Sequence, residues 1–143
     1  MHPYSFIVSL RANHPNLDLS FLAGLLSLER RNGWTAGDER KTPKGTSLGG
    51  IRNESFWSAR VTAEETSSEQ WQLEDVLERS VAKIGNFESE LAEFYASGGT
   101  MSYFVGLYGV RNYGLNLSPD LMRKLANAKV ELQLDIYPYQ SAV

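Results

Sequence analysis

Residues 100–108, Thr-Met-Ser-Tyr-Phe-Val-Gly-Leu-Tyr, are apolar on both sides of a two-residue period. Met101, Tyr103, Val105 and Leu107 fall on one side, and Phe104, Gly106 and Tyr108 join Ser102 on the other. A strand of this kind would waste apolar surface at a sheet edge, so it is predicted to be central and covered on each face over much of its length. It needs partner strands on both flanks, and the chain supplies them. Tyr4, Phe6, Val8 and Leu10 alternate with Ser5, Ile7, Ser9 and Arg11, the pattern of a half-buried strand. Val130, Leu132, Leu134 and Ile136 alternate with Glu131, Gln133 and Asp135, which predicts a last strand with one wet face ended by Tyr137-Pro138-Tyr139. Two further strands are expected around Arg31–Ala36 and over Ser55–Val61.

Between the strands the period changes to that of helices. After a turn at Asn13-His14-Pro15-Asn16, Asp18 is the expected N-cap of a helix that carries Phe21, Leu22, Leu25 and Leu26. Leu73, Val76, Leu77, Val81 and Ile84 make one apolar stripe, Gly85-Asn86 interrupts it, and Phe87, Leu91, Phe94 and Tyr95 make a second one that stops at Gly98-Gly99. Ser118-Pro119-Asp120 opens a last helix with an N-cap, a proline at the first helical position and an acid near the positive end of the dipole. The order β-α-β-β-α-α-β-α-β with a central hairpin predicts an α+β fold: a mixed, mainly antiparallel sheet backed by helices, an elaborated ferredoxin-like sandwich.

A chain of 143 residues is one domain's length, and residues 1–143 are read as a single domain. Net charge is -3, which argues against whole-surface attraction to nucleic acid or anionic lipid while leaving room for a local basic patch. With no cysteine there are no disulfides, thiol nucleophiles or cysteine metal sites. His2 and His14 lack metal-ligand spacing, and no motif calls for a cofactor. The N-terminus does not read as a signal peptide, and no stretch approaches the roughly 20 apolar residues that span a bilayer, so a cytoplasmic address is expected.

The net charge conceals a strong asymmetry. From Arg30 to Arg52 six cations face two carboxylates, a local +4, whereas from Glu64 to Glu93 nine carboxylates face two cations, a local -7. The basic part contains a Gly-rich segment, residues 37–54, expected as a long loop because glycine, proline and small polar residues are too dense for a helix or a central strand. Backbone N–H groups freed of side-chain bulk, with Arg40, Lys41 and Lys44, are ingredients of an anion site, and Trp34 or Trp57 could supply a stacking wall. Asp38, Arg52 and Arg111 complete the candidate set. The plain structural alternative is a self-braced loop, with Pro43 stiffening it and Asp38 accepting backbone N–H bonds or pairing with an arginine. Lys44-Gly45-Thr46-Ser47 lacks the order of a P-loop, and no GxGxxG is present.

Catalysis finds little support. Thr42, Thr46 and Ser47 have only His14 as a candidate base, in a setting equally suited to a turn, and Asp38 with Asp135 would form a carboxylate pair only if the fold joined them. Trp34, Trp57, Tyr103, Tyr108, Tyr113, Tyr137 and Tyr139 are explained mostly by packing, and Gly106-Leu107-Tyr108-Gly109-Val110 does not match the RNA-binding sheet signature. Nucleic acid is therefore not an expected partner.

Several of these residues together resemble a known bacterial family, domain of unknown function 4279. The likeness rests on His14-Pro15, Leu17-Asp18, Leu25-Leu26, Trp34, Gly37-Asp38, Arg40, Thr42-Pro43-Lys44-Gly45, Leu48, Gly50, Ser55 and Trp57, then on Gly109, Arg111-Asn112, Gly114 and Asp135-Ile136-Tyr137. Its most specific part is Trp-x-Ala-Gly-Asp followed by Thr-Pro-Lys-Gly. Glu39 departs from the pattern, in which proline often follows Gly-Asp. The resemblance implies a self-standing domain whose recognisable residues gather in the irregular segment, and it brings no catalytic residue with it. The expected function is a non-catalytic protein-binding module of accessory or immunity type. The alternative is a protein that binds a small anionic ligand through the basic segment.

Overall fold

The elements run β1 (Ser5–His14), α1 (Phe21–Leu26), β2 (Arg30–Trp34), β3 (Glu39–Lys41), β4 (Ser47–Ile51), β5 (Ser55–Arg60), β6 (Thr66–Ser67), α2 (Leu73–Gly85), α3 (Glu88–Ala96), β7 (Thr100–Gly109), α4 (Pro119–Asn127) and β8 (Val130–Pro138). They come from a computed structural model that describes residues 2–138. Tyr139, one of the aromatic candidates, lies outside the described residues.

The main sheet has the order β2-β5-β1-β7-β8, with β6 paired to the start of β1. Every pairing is antiparallel except β7 with β8, which is parallel. Strands β1, β2, β5 and β7 with the intervening helices reproduce the split βαβ arrangement of a ferredoxin-like unit, and α4–β8 adds a helix and a strand beside β7. The predicted fold class is what the chain adopts. None of the helices among the described residues is long and apolar enough to cross a membrane.

Alternation decides which face is buried. Phe6, Val8, Leu10 and Ala12 of β1, Trp57 and Ala59 of β5, and Met101, Tyr103, Val105 and Leu107 of β7 enter one core. That core also takes Leu22 and Leu26 from α1, Leu73, Leu77, Val81 and Ile84 from α2, Leu91 and Phe94 from α3, and Leu121 and Leu125 from α4. All four helices thus back the same side of the sheet. Strand β7 is central, as predicted, but its second face has no helical cover. Phe104 and Tyr108 stay half-buried there because Arg11 lies over the first ring and Tyr137 stacks on the second.

Three local expectations are corrected. Strand β1 runs on through Asn13 and His14, so the turn starts at Pro15. Asp18 does not cap α1; its carboxylate accepts from the Ser20 amide at 2.9 Å, closing a turn just before the helix, while Ser20 occupies the cap position with no side-chain bond. Residues 37–54 are not a plain loop. Strands β3 and β4 pair there as an antiparallel ribbon separate from the main sheet, exposed along both strands. Gly45, Gly49 and Gly50 take positive φ and bend the ribbon where side chains would be strained.

Candidate functional site

The β3–β4 ribbon is tied to the sheet at its base. The Gly37 amide donates to the Arg52 carbonyl at 2.9 Å and the Arg52 amide to the Asp38 carbonyl at 2.8 Å. The Asp38 carboxylate accepts from the Thr35 amide at 2.9 Å, the backbone-bracing role foreseen for it. The Arg52 guanidinium lies 3.6 Å above the centre of the Trp34 ring and donates to the Lys41 carbonyl at 3.2 Å. Trp34 also packs on Phe56, with ring centres 4.9 Å apart. A hollow of about 470 Å³ opens here, lined among others by Arg30, Asn32, Trp34, Asp38, Lys41 and Arg52.

Four of the eight candidates therefore converge, and four do not. Trp57 is 1% exposed in the core, so it cannot serve as a stacking wall; its period-2 phase relative to Phe56 places it on the helix side. Arg111 lines a different hollow with Leu107, Tyr113, Leu134 and Ile136. Arg40 and Lys44 are exposed on the ribbon and line neither of the sheet-side hollows. Lys41 spends part of its charge on Glu39, at 3.7 Å.

A second hollow, of about 340 Å³, lies on the helix-free face of the sheet. It was missed in the sequence because its residues come from four strands and meet only through register. Ser9 stands opposite Arg60 and Phe104, Arg11 opposite Ser58, and Asn32 opposite Ser58. Arg31 is the extra residue of a bulge in β2. The alternation in β1 and β5 already set Arg11 and Arg60 on the non-core side; the pairing that joins them was the lacking signal.

Arg11, Arg31 and Arg60 all line this hollow, no carboxylate does, and none of the three forms an ion pair among the described residues. Burial lowers the Arg60 pKa, and the nearby Arg31 charge lowers it further, while Tyr108 acts in the opposite sense. Arg11 lies 3.8 Å from the Phe104 ring centre. Tyr108 lies across Gly106, where a Cβ would sit 2.9 Å from the phenol oxygen, and stacks on Tyr137 at 4.9 Å with an interplanar angle of 8°. The site offers positive charge, the hydroxyls of Ser9 and Ser58, and aromatic walls whose faces are partly occupied.

The catalytic candidates separate. His14 is 2% exposed; its Nδ1 accepts from the amides of Asn16 at 3.1 Å and Leu17 at 2.9 Å. These partners assign the ring proton to Nε2, which donates to Ser97 Oγ at 2.7 Å, and the Ser97 hydroxyl in turn donates a hydrogen bond to the Glu93 carbonyl at 2.6 Å. An imidazole so held cannot take a proton from Ser97. It is a turn brace. Asp135 sits on β8 and accepts from Tyr137 at 2.6 Å, whereas Asp38 lies beyond β2 at the opposite end of the strand order, so they form no carboxylate pair.

The fold and its surface define an α+β domain of ferredoxin-like topology with one helix-backed sheet face and one open, arginine-bearing face. The chain belongs to the family described as Domain of unknown function (DUF4279), whose model matches residues 2–139. No curated protein and no solved structure matches it.

Proposed function

We propose that this chain is a non-catalytic binding module of the bacterial cytoplasm that holds an anionic ligand on the open face of its sheet. The observation that carries the reading is the concave hollow in which three arginines meet without a carboxylate or an ion-pair partner among the described residues. Guanidinium groups bind carboxylate and phosphate through paired N–H donors, and the partial burial of Arg11 and Arg60 strengthens that attraction relative to open water. An anion between Arg31 and Arg60 also relieves their mutual repulsion.

Thermal-shift measurements against inorganic phosphate, sulfate, citrate and simple carboxylates test the reading. A ligand at roughly 100 times its Kd stabilises the fold by about 2.7 kcal/mol. Arg60→Gln should abolish that shift. Equal shifts in wild type and variant, or none across the set, would remove the site.

A second reading, a protein-binding module, is favoured by the ribbon: Leu48 and Ile51 are 50% and 62% exposed beside Arg40, Lys41 and Lys44. Reversing the charge of those three cations should lose a stoichiometric partner captured from native lysate. Absence of any such partner for wild type counts against this reading.

A further inference from the structure

The two hollows adjoin at Asn32, and together they say more about the ligand than its charge alone. Asn32 lines both, and Trp34 of the ribbon-side hollow packs on Phe56 of the arginine hollow. The ribbon-side hollow is lined by Arg30 and Gly33, whose partners Ala59 and Trp57 are core-facing, as well as by Asn32 and Trp34, whose partners are not. Residues of both faces of β2 reach it, so it runs along the free edge of that strand. Among the described residues nothing pairs with this edge. Two of its backbone groups are held by side chains of the same strand: the Gly33 amide donates to Asn32 Oδ1 at 2.9 Å, and Arg30 donates to the Gly33 carbonyl at 3.4 Å. These exposed local contacts mark a donor and an acceptor that an added strand would take over.

Resting on the anion reading above, we infer that the ligand is an acidic peptide segment, bound extended along β2 with a carboxylate side chain in the arginine hollow. Charge complementarity selects the acidic character: Arg30, Arg31, Arg52 and Arg60 follow the path, and its two carboxylates are engaged locally, Asp38 by the Thr35 amide and Glu39 by Lys41. The aromatic walls select peptide over single-stranded nucleic acid. Nucleic acid binding of this kind stacks bases on open rings, whereas Arg11 covers Phe104, Arg52 covers Trp34 and Tyr137 covers Tyr108.

The test is calorimetric titration of the whole chain with a capped alternating Glu–Val hexapeptide, capped single glutamate, the Lys–Val hexapeptide, oligothymidylate and inorganic phosphate. The Glu–Val peptide should bind at least about tenfold tighter than capped glutamate, lose affinity with rising salt, and slow hydrogen exchange of the Arg30–Trp34 amides. Arg31→Glu, at an exposed bulge, should weaken it about tenfold without affecting the fold, and Arg60→Gln should act likewise. If phosphate binds but the peptide gains nothing over capped glutamate, the peptide inference fails and the anion site stands. If nothing binds, both fail. Equal binding of the Lys–Val peptide, tighter binding of oligothymidylate, or indifference to both arginine variants would overturn the proposal.

Discussion

His14 shows how a residue type misleads when its partners are unknown. An imidazole beside a hydroxyl suggests a base and a nucleophile, but the two amides on Nδ1 fix the proton on the side that faces Ser97. Replacing it with alanine leaves two N–H donors without their acceptor and a cavity against Phe94, at a cost of roughly 3 kcal/mol in urea unfolding. Anion binding should be unchanged. A variant that kept its stability but lost ligand would restore His14 to the site. Asp38, in contrast, was legible: an aspartate after a glycine braces a turn, and it does so here through Thr35. Trp57 is closed to any ligand because strand phase, which residue type alone does not convey, turns it into the core. In the run from Ser55 to Arg60 burial alternates, and Phe56, not Trp57, points to the open side.

At the scale of elements, agreement followed burial. Strands β1, β5 and β7 were readable because one side of each enters the core and carries the apolar residues, and α2 because its stripe does the same. The β3–β4 ribbon was not, since both strands are exposed and nothing imposes alternation. Its shape rests on glycine: Gly49 and Gly50 have φ of 78° and 74°, and a valine at each would be strained. That double substitution should speed hydrogen exchange of ribbon amides and leave the global unfolding midpoint nearly fixed, because no ribbon residue belongs to the buried core. A large drop in the midpoint would show that the ribbon folds cooperatively with the sheet. Helix α4 gives the opposite case. Ser118 accepts from the Leu121 amide at 3.1 Å, as its sequence context foretold, while its own amide donates to Glu74 of α2 at 2.9 Å. Ser118→Ala should cost about 1 kcal/mol in the same unfolding assay. No measurable loss would mean that the Glu74 contact and Pro119 position the helix without the hydroxyl.

The whole molecule divides into a helix-backed side that carries stability and an open side that carries the candidate site. Sequence reached the fold class and the order of the four helices and of strands β1, β2, β5, β7 and β8, but not the ribbon, the short β6 or the site. The site depends on which strands lie side by side, and pairings such as Ser9 with Arg60 span some fifty residues. The helix-backed side makes its own prediction with pH. Burial raises the phenol of Tyr95 to about 12 and raises that of Tyr103 as well, although Ser80, its hydrogen-bond partner, acts against the shift. A phenol whose folded pKa exceeds its unfolded value of about 10 holds its proton more firmly in the folded state. Its contribution is complete below pH 10 and disappears as pH rises through the folded value. Urea midpoints should therefore stay level on approaching pH 10 and fall steeply between pH 10 and 12. Tyr95→Phe, which gives up the 3.0 Å bond to the Ala128 carbonyl, should start lower at neutral pH and fall less over that interval. Parallel curves for the two proteins would show that Tyr95 is not among the groups whose ionisation unfolds the domain.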